Sequence, residues 1–374
     1  MAFLAWNYFQ VVQFANVISC FPQADLIFTD RSYKKEIDVT WLKSQWPNVR
    51  LIRHGDVDEL DGVFDVVFYQ SHFPLMEYFY QTKLVALQYG LAKDWHNYGA
   101  WRSLSDLNLM FGSWSVNNVT HYAPAIAVGN PKFDNWGDYS KKESLPVNTN
   151  STSNAYKPTV LVMLTWGETD KTQLINALID LKASFNIIIK LHHLDEIHKA
   201  DFVKQLKNLD VGRVVSGHAD QLSLLAKSDV VLSDYSGAIF DAVYAKIPVV
   251  LFRPKNIPVS IDKLRSLEFK QACKLGLLCD DSSKLMESIN LAILSKSDLL
   301  IQVDSLRKKL FIDADGKQVA SGVRIHELIT QLSEDDWPEK TQAQKNVAVV
   351  VKNERILKRK LAAKRWYFPY YNAR

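Results

Sequence analysis

The sequence has few cysteines and no long apolar run, and each shortage excludes a class of protein. Its three cysteines, Cys20, Cys273 and Cys279, are too few and too scattered for a disulfide framework, and they form no C-x-x-C metal pair. This usage fits a reducing cytoplasm. No run of about 18 apolar residues occurs, so we expect no transmembrane helix.

Residues 1–24, at the N-terminus, carry no charged side chain. A signal peptide would have a basic start and an unbroken apolar core. Here polar residues recur every three positions and leave an apolar face, at Asn7, Gln10, Gln13 and Asn16. The spacing predicts an amphipathic helix that belongs to the fold.

Net positive charge is confined to the C-terminal tail. The whole chain has a net charge of +4, but residues 340–374 hold ten Lys and Arg against the single acidic Glu354, and the remaining 35 basic residues face 40 acidic ones. The body of the protein therefore offers no broad basic surface for nucleic acid. In the tail, apolar residues at helical spacing are followed by the aromatic run Trp366–Tyr371. A basic amphipathic helix of this kind either contacts an anionic membrane surface or packs back on the first domain.

Apolar strands alternate with helical segments along most of the chain. Such alternation predicts an α/β fold with mostly parallel sheets covered by helices on both faces. The polar segment 139–157 is the clearest linker. We therefore predict a GT-B-like arrangement of two doubly wound, Rossmann-like domains with an interdomain cleft: a first domain over 1–138, a second domain over 158–335 and a basic amphipathic tail over 336–374.

The most informative segment runs from Asp229 to Phe252 and is predicted to be a strand, a polar turn, a helix and a strand. Its turn is Ser233-Asp234-Tyr235-Ser236-Gly237. Polar residues between a strand's carboxyl end and a helix are where α/β proteins bind ligands, and the N–H groups of a helix start favour an anion such as phosphate. Asp241 lies about one helical turn further on, where it could reach a ribose hydroxyl. An ordinary capped turn is the alternative.

Two other strand ends in the second domain carry polar residues. Lys190-Leu191-His192-His193 ends a predicted strand, and its cation and imidazoles suit the charge of a diphosphate. Leu164-Thr165-Trp166 follows the domain's first strand and places Thr165 near the predicted cleft. A solvated strand end and a helix cap are the respective alternatives.

Two segments of the first domain remain. The loop from Gln88 to Gly99 contains Asp94 and His96, which are candidate general bases. The segment from Gly129 to Asp134 has turn chemistry that explains most of its composition.

Four of these segments resemble, in order, motifs of the CDP-glycerol glycerophosphotransferase family, which includes teichoic acid primases and polymerases and related capsule enzymes. The segment S-D-Y-S-G-A-I-F-D over 233–241 resembles S/T-D-Y-S-S-x-x-F-D, and K-L-H-H over 190–193 resembles K-x-H-P. L-T-W over 164–166 resembles part of A-P-T-W/F-R-D, and G-N-P-K-F-D over 129–134 resembles G-x-P-R-x-D.

The resemblance implies a GT-B fold and transfer of glycerol phosphate from CDP-glycerol to a hydroxyl, with CMP released. The turn residues Ser233, Asp234, Ser236 and Gly237 would hold the diphosphate, and we predict that Thr165 and Lys190 also bind the donor. Asp241 would bind ribose, and His192 would stabilise charge on the transferred phosphate. His192, Lys190 and the helix start at Ser236 would neutralise the phosphate oxygens, so a metal is not obligatory, and no cofactor is expected.

One departure from the family concerns the base. The family's W-H-G-T-P-L-K is replaced by L-Q-Y-G-L-A-K over 87–93, with Gln88 or Tyr89 in place of the histidine. Asp94 or His96 would then take the hydroxyl proton. His193 also replaces the family's proline.

The expected partners are CDP-glycerol or another CDP-alditol and a lipid-linked saccharide or capsule polymer. We expect a cytoplasmic enzyme, peripheral on the inner face of the plasma membrane through residues 340–374, that adds one or a few units. Alternatives are a GT-B glycosyltransferase using a sugar nucleotide, a sugar-nucleotide 2-epimerase-like enzyme and a non-catalytic binding module. The acceptor, the choice between glycerol and ribitol phosphate and the oligomeric state stay open.

Overall fold

The computed structural model describes residues 1–30, 39–143, 156–165, 171–192, 195, 199–209, 211–215, 219–253, 261–313, 319–334 and 336–367. The chain divides into two compact units. Unit 1 comprises Met1–Tyr89, Tyr98–Lys132 and Gln318–Arg374, and unit 2 comprises Gly90–Asn97 and Phe133–Lys317.

The strands are short and mostly buried, as expected of parallel strands covered on both faces. In chain order they are β1 (Ala2–Ala5), β2 (Asp25–Thr29), β3 (Arg50–Ile52), β4 (Val66–Tyr69), β5 (Lys83–Leu87), β6 (Leu107–Met110), β7 (Ala125–Ala127), β8 (Thr159–Met163), β9 (Asn186–Lys190), β10 (Arg213–Val215), β11 (Val230–Ser233), β12 (Val249–Phe252) and β13 (Leu277–Cys279).

Helices connect and cover these strands. The α-helices are α1 (Tyr8–Ile18), α2 (Val39–Gln45), α3 (Asp94–Asn97), α4 (Ser113–Val119), α5 (Trp136–Glu143), α6 (Lys171–Leu181), α7 (Ala200–Asn208), α8 (Gln221–Ala226), α9 (Ala238–Tyr244), α10 (Ile261–Arg265), α11 (Leu267–Lys270), α12 (Ala272–Leu275), α13 (Leu285–Leu294), α14 (Lys296–Leu310), α15 (Ser321–Glu334) and α16 (Gln342–Tyr367). Short 3₁₀ turns cover His54–Leu60, Met76–Tyr78, Ala100–Leu104, Pro131–Phe133 and Ser282–Lys284.

Both units are built on parallel sheets whose strand order reverses once. The unit 1 sheet has the order β3-β2-β1-β4-β5-β6-β7, and the unit 2 sheet has the order β10-β9-β8-β11-β12-β13. All recorded strand pairings are parallel. The prediction of two doubly wound α/β sheets is confirmed. In unit 1 the order reverses between β1 and β4, and in unit 2 it reverses between β8 and β11.

The N-terminal segment is only partly the predicted amphipathic helix. α1 occupies Tyr8–Ile18 and is capped by the Asn7 side chain, which accepts from the backbone N–H of Gln10. Residues Ala2–Ala5, however, form β1 at the centre of the unit 1 sheet, and all four are fully buried. The four apolar residues were too few to separate a strand from the helix that follows them.

The C-terminal helices belong to unit 1. α15 packs on α1 so closely that a Cβ added to Gly322 would lie 2.5 Å from the carbonyl oxygen of Asn16. Arg355 and Arg359 of α16 both pair with the fully buried carboxylate of Glu77, and Arg355 Nε lies 2.8 Å from it. This division differs from the predicted boundaries, which assigned residues 321–334 to the second domain.

The predicted linker 139–157 begins within α5, which extends to Glu143. Its part from 144 to 155 lies outside the described residues. Tyr156 and Thr159, at its far end, anchor the chain to unit 2 because the Tyr156 hydroxyl and the Thr159 N–H each donate to Asp229 at 2.7 Å.

Candidate functional site

The carboxyl edge of the unit 2 sheet carries a bonded polar pair at the point where strand order reverses. The backbone N–H of Thr165, just beyond β8, donates to Oδ1 of Asp234, just beyond β11, over 2.8 Å. Ligands of doubly wound sheets bind at such a switch point. Two of the predicted donor-binding residues therefore meet where the fold favours a ligand.

The Thr165 side chain is unusual for a buried hydroxyl. The residue is 4% exposed, and its Oγ1 has no hydrogen-bond partner among the described residues. An unpaired buried polar group costs on the order of 1–3 kcal/mol. A hydroxyl left unpaired at this edge is suited to bind a ligand oxygen.

The side chains of Ser233 and Asp234 make structural hydrogen bonds to the neighbouring strand β8 and the residues that follow it. Ser233 is fully buried, and its Oγ donates to the carbonyl oxygen of Met163 in β8 over 2.7 Å. Asp234 is 1% exposed and accepts the Thr165 N–H. A carboxylate cannot donate to a phosphate, so these contacts give both residues the task of fixing the turn against β8.

The next residues of the turn are more accessible. The Ser236 hydroxyl accepts from the backbone N–H of Ala238 over 3.2 Å, which leaves its own proton free to donate. Gly237 is exposed and has an ordinary helical φ of −57°. A Cβ added there would meet only the Cβ of Ala92 at 3.9 Å, an ordinary contact. The fold itself therefore does not require glycine at this position.

The predicted ribose ligand is held by a neighbouring helix. Asp241 is half-buried in the first turn of α9, and its Oδ2 accepts from Nε2 of Gln221 in α8 over 2.7 Å. The amide of Gln221 thus fixes the orientation of the Asp241 carboxylate.

Arg253, directly after β12, is a part of this edge that sequence reasoning missed. Its Nη2 donates to the carbonyl oxygens of Asp234 and Glu268 over 3.3 and 2.8 Å, and its guanidinium lies 4.4 Å from the Tyr235 ring centroid. Nε is buried without a partner among the described residues. Burial lowers the pKa of Arg253, but the group stays a cation. It adds positive charge beside the turn.

Lys190 and His192 lie at the carboxyl end of β9, the neighbour of β8. Both are half-buried, and the carbonyl oxygen of His192 accepts from the N–H of Asp195 over 2.9 Å. They line one end of a small cavity of about 30 Å³ whose other walls are largely apolar. His193 and Trp166, the last residue of the Leu164-Thr165-Trp166 motif, lie outside the described residues.

The loop Gly90–Asn97 belongs to unit 2, although it leaves a strand of unit 1. Asp94 accepts from the N–H of Leu267 over 3.1 Å, and the N–H of Lys93 donates to the 1%-exposed carboxylate of Glu268, also over 3.1 Å. Burial raises the pKa of both Asp94 and Glu268 despite these bonds. The loop and α11 are therefore joined by two hydrogen bonds, one donated from each side.

His96 is the other candidate base, and Gln88 occupies the slot of the family's histidine. His96 is half-buried one turn from Lys93. Gln88, in the slot of the family histidine, is 2% exposed; its Oε1 accepts from the N–H of Phe111 over 2.8 Å and its Nε2 donates to Tyr98 over 3.4 Å. A side chain used in this way cannot serve as a base.

The segment Gly129–Asp134 contributes turn and packing contacts. Gly129 has a φ of +90°, which favours glycine, and Phe133 stacks on Tyr244 of α9 with ring centroids 4.0 Å apart.

Two searches of the described residues gave negative results. No three His, Cys, Asp or Glu side chains converge as metal ligands there. Among the same residues, no helix combines the length and apolarity needed to cross a membrane.

A family model described as CDP-glycerol:poly(glycerophosphate) glycerophosphotransferase matches residues 112–331, more than half of the chain. The matched region contains all the predicted donor-binding residues. A search of curated protein sequences found no match.

Several solved structures share the fold at low identity. The wall teichoic acid polymerase TagF, in a variant soaked with CDPG, is 15% identical with a TM-score of 0.62, covering 90% of each chain. A putative UDP-N-acetylglucosamine 2-epimerase from Listeria monocytogenes is 13% identical with a TM-score of 0.61, covering 91% of this chain and 98% of that one. The UDP-GlcNAc 2-epimerase of Methanocaldococcus jannaschii is 15% identical with a TM-score of 0.60, covering 88% and 99%. At these identities the likeness shows the fold, which is GT-B-like.

Proposed function

The chain belongs to the CDP-glycerol:poly(glycerophosphate) glycerophosphotransferase family, and we propose that it transfers glycerol phosphate from CDP-glycerol to a hydroxyl of a lipid-linked or cell-surface polysaccharide acceptor. The enzyme class and the donor follow from the family. The acceptor, the residue roles and the membrane contact are the proposal. The observation that carries the proposal is the family match, because the matched residues include Thr165 and Asp234, which are bonded to each other at the switch point of the unit 2 sheet.

The diphosphate of the donor is proposed to bind at this switch point. Thr165 Oγ1 and the Ser236 hydroxyl supply donors, and the exposed Gly237 lets a phosphate approach the backbone. Ser233 and Asp234 hold these groups in place. Asp241, oriented by Gln221, binds the ribose.

The reaction proposed is an in-line attack of the acceptor hydroxyl oxygen on the β-phosphorus of CDP-glycerol. The new P–O bond replaces the bond to the bridging oxygen, and CMP leaves with that oxygen. Positioning and charge stabilisation dominate phosphoryl transfer. Lys190 and His192 neutralise the oxygens around phosphorus.

The proton of the attacking hydroxyl goes to Asp94 or His96. Asp94 has the stronger support, because burial raises its pKa and so makes it a better proton acceptor. The Leu267 N–H fixes its Oδ1 and leaves Oδ2 for the substrate. An Asp94→Asn variant that keeps wild-type turnover would transfer this role to His96.

The C-terminal helix is proposed to hold the enzyme at the inner face of the plasma membrane. One side of α16 is fastened to unit 1 through Glu77. Its other side exposes Val350, Leu357 and Leu361 by 65, 57 and 52%, beside exposed Lys358 and Lys360. An apolar stripe flanked by cations suits an anionic membrane surface, where a lipid-linked acceptor would lie.

A ligand panel with product detection tests the proposed reaction. CDP-glycerol and CMP should raise the melting temperature, whereas UDP-sugars should not, and CMP release should require an acceptor. If UDP-GlcNAc raises the melting temperature and is converted without an acceptor, the epimerase alternative is supported. Stabilisation by other UDP-sugars would support a glycosyltransferase. Binding of CDP-glycerol without CMP release, across acceptors, would indicate a binding module.

A further inference from the structure

Unit 1 has an open cavity between α16 and the amino edge of its sheet. It measures about 220 Å³ and is lined by residues from three segments, 76–84, 104–106 and 340–352, the first two of which lead into β5 and β6. A single water molecule needs only about 10–15 Å³ of such space, so the cavity has room for a phosphate group with a small organic substituent. It lies at the edge opposite the carboxyl ends of the strands, where doubly wound sheets bind their usual ligands.

Three lysines line this cavity, and neutral groups hold two of them. Nζ of Lys340 donates to the carbonyl oxygen of Ser103 over 2.8 Å. Nζ of Lys352, on α16, lies 3.9 Å from the centroid of the Tyr80 ring. Neither of these two lysines forms an ion pair with any described residue. The third lysine, Lys83, is the first residue of β5.

The carboxylates at the cavity do not offset the three lysines. Oδ1 of Asp106 lies 3.8 Å from Nζ of Lys83, but the two side chains are 34 and 43% exposed, and such pairs are weak. Glu77 is buried and already pairs with two cations, Arg355 and Arg359. The cavity is therefore surrounded by an excess of positive charge.

Lys340 is half-buried, and its charge is costly there. Burial lowers the pKa of Lys340; Asp106 opposes this shift and the neighbouring Lys83 adds to it. An anion bound between the two lysines would favour their charged forms. Because lysine binds phosphate as a point charge with three rotatable donors, the charge and the space together indicate a ligand that carries a phosphate group.

The cavity adjoins the exposed apolar stripe of α16. Val349 lines the cavity and is itself 57% exposed, one position before the stripe residue Val350. Met76 and Phe79 add apolar surface to the wall. We propose that this cavity binds the headgroup of an anionic phospholipid, with its phosphate among the three lysines and its glycerol ester near Val349. The choice of a lipid rests on the proposed function, which places α16 at the membrane, and the excess positive charge disfavours a headgroup that carries its own cation.

Short-chain lipids below their micelle concentration test this site separately from binding to a membrane surface. Calorimetric titrations of the full chain use dihexanoyl phosphatidylglycerol, dihexanoyl phosphatidylcholine and a glycerol phosphate trimer. The wild type should bind the phosphatidylglycerol and not the phosphatidylcholine. Lys340→Met and Lys352→Met should each weaken that binding about tenfold or more, as expected for loss of a hydrogen bond between charged groups. Lys43→Met removes the same charge at an exposed position of α2 and should leave the binding unchanged.

Both cavity variants keep an unbranched side chain of similar length, so we expect them to fold, and melting curves check this. Failure of the wild type to bind phosphatidylglycerol, equal binding of phosphatidylcholine, or binding insensitive to both variants would overturn the inference. Tighter binding of the trimer than of the lipid would also overturn it, because the cavity would then serve a soluble polymer.

CDP-glycerol affinity separates this inference from the proposed function. It should be unchanged in Lys340→Met and Lys352→Met. A wild type that binds the short-chain lipid but not CDP-glycerol would refute the proposed function and leave the lipid site standing. A wild type that binds CDP-glycerol and releases CMP with an acceptor, but binds no lipid, would refute only the lipid site.

Discussion

Thr165→Val should make the protein more stable and at the same time a poorer binder of CDP-glycerol. The substitution keeps the shape of the side chain and the backbone N–H that bonds Asp234. It removes only Oγ1, which is buried and has no partner among the described residues. A purely structural residue would not couple these two effects in opposite directions.

The magnitudes follow from the state of that hydroxyl. Relief of an unsatisfied buried group should raise the free energy of unfolding by about 1–3 kcal/mol. Loss of a hydrogen bond to a charged phosphate should weaken donor binding by about 1.5–3 kcal/mol, or roughly 10- to 150-fold.

Urea unfolding and calorimetric titration with CDP-glycerol give the two quantities. Thr82→Val is the matched control, because Thr82 is also 4% exposed but its Oγ1 donates to Phe64 and accepts from the N–H of Gly62. That variant should lose stability and keep its donor affinity. Unchanged CDP-glycerol affinity in a folded Thr165→Val protein would refute the reasoning.

Three further predictions concern charge. His192→Ala should lower turnover about 100-fold or more if the imidazole stabilises the transferred phosphate, and near-wild-type turnover in a CMP-release assay would remove that role. Burial raises the pKa of both Asp94 and Glu268. The protonated side chains therefore contribute fully to the free energy of unfolding below the ordinary carboxyl pKa, and this contribution is lost as pH rises through the raised pKa values. Glu268→Gln should therefore flatten the fall in melting temperature as pH rises above the ordinary carboxyl pKa, and an unchanged profile would contradict this. Burial opposes ionisation of Glu77, but the bonds from Arg355 and Arg359 prevail and lower its pKa. The ion pairs of Glu77 with α16 should therefore persist above the ordinary carboxyl pKa and break as pH falls through the lowered pKa of Glu77. Limited proteolysis would detect their loss as faster cleavage of α16. Arg355→Met should shift that cleavage to higher pH, and identical cleavage of variant and wild type would argue against this role of the ion pairs.

Local patterns in the sequence predicted most of the strands and the turn at 233–237, because buried parallel strands are continuous apolar runs bounded by polar turns. They failed where an element is very short or where long-range packing decides. β1 was missed because it has only four residues. The assignment of α15 to unit 1 was missed because it depends on close packing against α1, which Gly322 allows since it has no side chain.

The site shows the same limit. The turn was predicted from its residue types. Which of its residues make structural contacts and which are left to bind a ligand, however, depends on partners distant in sequence. Ser233 bonds Met163 and Asp234 bonds Thr165, about 70 residues away. Arg253 and Glu268 carried no local signal, because only the folded chain brings them to the turn and to the 90–97 loop.

The central claim is that glycerol phosphate moves as a unit by attack at the β-phosphorus of CDP-glycerol. Phosphorus NMR of the wild-type reaction with a saccharide acceptor tests it most directly. The account predicts that the diphosphate resonances are replaced by equal amounts of a phosphodiester and the phosphomonoester of CMP. Release of CDP with no new phosphodiester would show cleavage of the glycerol C–O bond instead, and would contradict it.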